Sequence, residues 1–393
     1  MKRKILIATL VFVIGMSSGC VKKTNVIADQ TEPSASESDD FSNRKPFMFT
    51  VDTDIIPDYV VSDINQLYGG KVVIELFVSG NGYPVKYDLD CESDGDYEYK
   101  GLTEGPDEDS HYSCIYKPYS GKHQISLRGD IHSIRLCSGE PHGSVMSYVV
   151  VSVDSWGDVE WKNMAWFAST CEVLKSLPKD APDLRQVKNM TGMFGGRWSG
   201  ALVFNQPIDH WDVSNVEEMG AMFKNASSFN QPLEKWDVSK VKNMRSMFAG
   251  AGSFNQPLNK WNVSNVENMS EMFYGAGSFN QPLDQWNVSK VKNMEYMFRE
   301  ANSFNQPINS WDVSNVESML GMFKEAGGFN QPLDKWNVSN VKNMMGMFYK
   351  AMNFDNKSTK QWNMKNVENK KYMFDKVEPE DHEDDYFWYG DQG

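Results

Sequence analysis

The sequence predicts an α/β repeat solenoid, with one strand and one short helix per 25-residue coil, preceded by a small β-sandwich. Three observations carry that expectation. A phenylalanine returns at Phe204, Phe229, Phe254, Phe279, Phe304, Phe329 and Phe354, each 25 residues after the last. Inside each unit the apolar residues change from strand-like alternation to helix-like three-and-four spacing. Between Pro46 and Val153, short β-like runs alternate with Gly-, Asp- and Ser-rich turns. A period of about 20 to 50 residues is the signature of a solenoid.

The chain opens with Lys2, Arg3 and Lys4, followed by the apolar run Ile5 to Ile14. That run is too short to span a bilayer and has the form of a secretory signal. It ends in "SSGC", which resembles the lipobox of bacterial lipoproteins and implies cleavage before Cys20 and acylation of that cysteine. Residues 1–20 are therefore expected to be a lipoprotein signal peptide. Residues 21–45, rich in Ser, Asp, Glu and Thr, read as a flexible tether. No second apolar run long enough for a membrane span follows.

The runs "KVVIELFVSG", "YPVKYDLD", "HYSCIYKP", "KHQISLRG", "IHSIRLC" and "SYVVVSV" are the strand candidates of residues 46–153. Asp88, Asp90, Asp94 and Asp96 cluster in a turn whose spacing falls short of an EF-hand loop. A solvated turn is the expectation there, with calcium left open. Cys91, Cys114, Cys137 and Cys171 are an even set in an exported chain, so disulfides are expected, and none lies in a CxxC zinc pattern. Four cysteines allow three connectivities. Cys91 and Cys114 flank the acidic turn, while Cys137 and Cys171 bracket the junction with the repeats. The pairs Cys91–Cys114 and Cys137–Cys171 are expected on that ground.

Residues 154–375 form the array. One unit reads Phe-Asn-Gln-Pro-(Leu/Ile), two polar residues, Trp-(Asp/Asn)-Val-Ser, a variable residue, Val, two polar residues, then Met-x-x-Met-Phe. Trp211 and Val213 alternate with polar neighbours, which predicts a strand. Val216, Met219, Met222, Phe223 and Ala226 predict a short helix, with Ser214 and Glu217 as its capping box. Such a unit cannot bury its apolar face alone, so stacking makes the core. Of the 23 Met, all but Met1, Met16, Met48 and Met146 lie in the array, and they read as adaptable core filler rather than a Cu(I) site. Asn205 and its successors to Asn330 predict an amide ladder between coils. Lys188, Glu217, Lys242, Glu267, Lys292, Glu317, Lys342 and Glu368 alternate in sign without exception, so opposite charges meet on adjacent coils. Duplication of a two-coil unit explains the alternation equally well. Residues 376–393 are an acidic, aromatic tail in which the repeat pattern decays.

"MFxxAxxFNQPLxxWDVSNVxxM" resembles the repeat of the BspA-like bacterial surface proteins, the DUF285 type first noted in mycoplasmas. The approach "DSWGDVEWKNMAWFAST" is similar to the segment leading into that repeat. The resemblance implies a leucine-rich-repeat-like extracellular solenoid that engages other proteins or surfaces, and no catalytic mechanism. "DLDCESDGDYEY" followed by "IYKPYSGKHQISLRG" resembles the PKD-like modules of extracellular proteins, with Cys91 and His123 standing where those modules carry aromatics.

The net charge of −14 argues against nucleic acid and against an electrostatic grip on anionic lipid. No GxSxG, HExxH, Walker A or GxGxxG motif is present. No catalytic residue, cofactor or metal set is therefore expected. The chain reads as a lipid-anchored protein, exported to the outer membrane or cell surface, that binds a protein or surface ligand through its repeats. A structural envelope lipoprotein without external ligand is the alternative, and an enzyme with its site in residues 46–153 is a third reading. The repeats vary most in two columns, and these supply the candidate binding face: Arg245, Tyr274, Glu295, Arg299 and Tyr349.

Overall fold

A computed structural model describes residues 19–22, 41–56, 72–79, 85–104, 110–117, 119–137, 146–196 and 202–376. Most of the signal segment, most of the tether and the tail from 377 lie outside the described residues. Two antiparallel sheets precede the array. The first has the order β1 (Gly19–Lys22), β6 (Ser110–Tyr116), β3 (Val72–Ser79), β8 (Ser133–Arg135). The second has the order β5 (Tyr99–Glu104), β4 (Val85–Asp90), β7 (Lys122–Gly129), β2 (Phe47–Asp52), β9 (Val150–Ser155). In β2 the alternation of Phe47, Phe49 and Val51 with polar residues puts all three apolar side chains fully inside. Cys91, just after β4, is bonded to Cys114 of β6, so that disulfide staples one sheet to the other. Residues 41–45, assigned above to the tether, are packed instead: Phe41 is buried, and Arg44 pairs with Asp130 at 2.8 Å.

The coils are not built from a strand and a helix. Among the described residues the helical elements are α1 (Met146–Val149) and two 3-10 turns at Thr53–Ile55 and Asn356–Thr359, and α1 lies outside the array. The expected α/β, leucine-rich-repeat-like solenoid is thereby corrected, and the coil from Phe254 to Phe279 shows why. The amides of Met269, Glu271, Phe273 and Gly275 donate forward to Asn293, Glu295, Met297 and Arg299 of the next coil, at 2.7–3.0 Å. The intervening amides of Met272, Tyr274 and Ala276 donate to the carbonyls three residues back. Every second amide thus leaves its own coil, which no α-helix permits. Glu271 and Gly275 take positive φ of 58° and 64°, and these kinks keep the chain turning. The expected capping box is absent too: the side chain of Asn262 accepts the Ser264 amide in an Asx turn, as Asp212 does from Ser214. Trp261 and Val263 are buried by turns closed from Trp261 to Leu258 and from Val266 to Val263, not by a strand.

What the coils lack in regular structure they replace with ladders. Phe254 stacks between Phe229 and Phe279, with centroids 6.0 Å away on each side. Trp261 donates from Nε1 to the Leu233 carbonyl at 3.0 Å, and the same bond recurs from Trp236 to Trp362. The asparagine ladder forms: Asn230, Asn255, Asn280, Asn305 and Asn330 each donate a backbone N–H to the amide oxygen of the asparagine one coil earlier. Each Gln that follows donates to the same oxygen, as Gln256 does to Asn230 at 3.0 Å. One apolar core runs unbroken from Phe47 to Met373.

The sheets close the first coil. Val153 and Lys175 exchange backbone bonds with Ser176 and Val151, extending β9 onto the array. Leu136 donates to the Phe167 carbonyl at 2.8 Å, and Phe47 packs edge-on against Trp161 and Phe167. The Cys137–Cys171 disulfide ties the segment after β8 to this coil.

Candidate interaction surface

With the core columns invariant, chemistry is left to the two side chains per coil that vary. Tyr274, Arg299, Lys324 and Tyr349 occupy one column on four successive coils. The Arg299 guanidinium lies over the Tyr274 ring at 4.9 Å and over Tyr296 at 5.6 Å, while its Nε donates to Glu300 at 3.0 Å. The Lys324 ammonium stands 5.4 Å from the Tyr349 ring centre and 3.9 Å from Glu325. Two cations are thus held between aromatic plates on a hydrogen-bonded wall. Each such contact contributes about 0.5–2 kcal/mol, more as water is excluded.

Burial sets the electrostatics. The side chain of Lys324 is only 8% exposed, and burial, then the neighbouring Arg299 charge, hold its ammonium pKa below the ordinary lysine value. Burial likewise raises the phenols of Tyr274 and Tyr296. The stripe is therefore a set of fixed, partly desolvated groups.

Of the five residues expected on this face, Tyr274, Arg299 and Tyr349 belong to the stripe. Arg245 pairs instead with Glu271 of the next coil at 3.1 Å, where Ser246 also donates to Glu271. Glu295, two coils on in the Arg245 column, accepts from Ser318 at 2.6 Å. Lys324 and Tyr296 were not picked out from sequence. Lys324 stood in the named column, and reading the column as coil-to-coil neighbours, cation beside aromatic, is the signal that finds it. Tyr296 sits at a positive-φ position, which side-chain periodicity does not mark.

Two other polar clusters are closed on themselves. In the alternating charge column Lys242 reaches Glu217 at 2.6 Å and Lys292 reaches Glu267 at 2.9 Å, with Lys188 on Glu217 at 3.3 Å. The bonded lysines hold the Glu217 and Glu267 carboxyls below their ordinary pKa. In the acidic turn, Asp88 pairs with Arg128 at 3.1 Å, and Asp90 accepts the amides of Glu92 and Gly95. Those carboxylates build the turn. Among the described residues no group of three or more His, Cys, Asp or Glu side chains is arranged to hold a metal ion, and no helix is long and apolar enough to cross a membrane. Cys20 lies in β1, opposite Cys114 in register.

These features define a repeat protein whose fixed ladders carry a variable surface. The chain belongs to the family described as "Mycoplasma protein of unknown function, DUF285", which matches residues 162–286 and 271–386, more than half of its length. No curated protein matches it. No solved structure matches it either.

Proposed function

We propose that this is a lipid-anchored bacterial surface protein whose array binds a protein partner through the Tyr274–Arg299–Lys324–Tyr349 stripe. The observation that carries the reading is the stripe itself. Aromatic and cationic side chains, the types that dominate binding hot spots, are pre-set there on a scaffold that needs none of them for its core. The export signal and "SSGC" support an anchor at Cys20, with the sheets, read as a PKD-like module, standing between membrane and array.

The test uses intact cells. A photo-crosslinking residue at Tyr274 should capture a discrete partner, and capture should fall at least tenfold with Arg299→Glu or Tyr349→Ala. The same probe at Lys188, on the charge-ladder column, should not capture it. Equal capture from both positions, or an array shielded from added protease on intact cells, would overturn the reading in favour of a structural envelope role. Cys20→Ser should release the protein from the membrane fraction, and retention of the variant there would remove the anchor.

A further inference from the structure

The array has a direction. In the Met-Phe column every coil donates alternate backbone amides toward the C-terminal side, as Met344, Gly346, Phe348 and Lys350 do to Asn369, Lys371, Met373 and Asp375 at 2.7–2.8 Å. At the N-terminal end the spare carbonyl of this column, on Phe167, is taken by Leu136 from the sheets. At the other end the corresponding amides of Lys370, Phe374 and Lys376 face the place of a further coil, and the described residues stop there. A row of outward N–H groups is a positive partial charge, as at the start of a helix. The side chains of Lys360, Lys365 and Lys370 are exposed on this final coil and add to it. Beside the row lies a cleft of about 430 Å³ whose apolar wall is Phe348, Phe354 and Phe374, with Lys357 and Lys376 at its rim. Phe374 is half-buried, where its equivalents Phe298 and Phe323 are fully buried.

We infer that this end is a docking site and that its occupant is the segment 377–393 of the same chain. The segment matches the site in both respects. It carries Glu378, Glu380, Asp381, Glu383, Asp384 and Asp385 with no Lys or Arg, and then Tyr386, Phe387, Trp388 and Tyr389. The acidic stretch meets the lysines and the amide row, and the aromatic group fills the phenylalanine cleft. Reach is not limiting: the nine residues from 377 to 385 extend up to about 30 Å, and one coil is about 5 Å thick. A tethered segment acts at an effective concentration near the millimolar range. A second copy has no such advantage, and a net charge of −14 repels it. Docking covers an edge that otherwise invites aggregation.

The experiment compares the chain with one ending at Lys376. Truncation should lower Tm by about 2–4 °C or more, and a synthetic 377–393 peptide added in trans should restore it. The triple change Lys365→Glu, Lys370→Glu, Lys376→Glu should lower Tm in the long chain but not in the short one. That difference should shrink in about 1 M salt, where charges more than about 3 Å apart are screened. Trp388, isolated as the difference from Trp388→Phe, should emit to the blue of exposed indole, and the triple change should abolish the shift. The inference is overturned if the short chain keeps its Tm, if the triple change costs the same with and without the tail, or if the long chain sediments as a dimer that truncation makes monomeric.

Discussion

At Gly321 the backbone takes φ +56°, and a β-carbon added there would stand 2.4 Å from the Tyr296 ring, which leans over it from the previous coil. The same pairing occurs at the other end, where the Trp166 ring covers Gly192. Large and small residues alternate in this positive-φ column because a large side chain in one coil occupies the space of its successor. Gly321→Val therefore suffers twice, from left-handed backbone that β-branched residues resist and from the ring. A loss of about 2–3 kcal/mol by chemical denaturation is expected. Adding Tyr296→Ala should recover the steric share and leave the backbone share. Full recovery would mean that the backbone conformation costs nothing there.

At the scale of the coil, stability comes from what crosses between coils. Trp261 is buried, bonds Leu233 one coil back, and stacks on Trp236 with centroids 6.5 Å apart. Trp261→Ala should cost about 3–5 kcal/mol. Because each coil is held by its neighbours, the loss should spread to both sides. Amide exchange at Phe254 and Phe279 should accelerate together, while amides near Phe354 stay protected. Exchange that rises on one side only would contradict the stacked arrangement.

At the scale of the molecule, the sheets and the array are one body, and His132 sits at their junction. It is buried; its Nδ1 meets the Glu160 carbonyl at 3.2 Å, and its Nε2 faces the Lys162 ammonium at 3.1 Å. An Nδ1–H that donates to Glu160 leaves Nε2 to accept from Lys162, so the neutral ring is the one that fits. Burial is the largest influence, and it holds the His132 pKa below 6.5, with Lys162 adding to the shift and Asp130 and Glu160 opposing it. The unfolded chain then binds the proton more readily than the folded one, so this stability is fully present above about pH 6.5 and is lost as pH falls from there through the folded value. The thermal midpoint should fall with acidification over that window, and His132→Asn should flatten the fall. An unchanged slope in the variant would place the titrating group elsewhere.

Side-chain chemistry by itself determined much of this protein: the 25-residue period, the buried Phe, Trp and Met columns, the asparagine ladder, the contact of opposite charges between coils and the places of the cysteines. Those follow from which side chains recur and what each needs as a neighbour. The hydrogen bonding of the coil was decided only by tertiary structure. Val216, Met219, Met222, Phe223 and Ala226 show the same three-and-four spacing whether an amide bonds back along its own chain or forward to the next coil. Gly220, Gly250, Gly275 and Gly346 inside the segment were the signal against a helix. Likewise the lysine at 324 could be read from the chain, but its burial between Arg299 and Tyr349 depends on which residues stand 25 places to either side. Stacking supplies the carbonyls that make a helix unnecessary, and an isolated coil has none to offer.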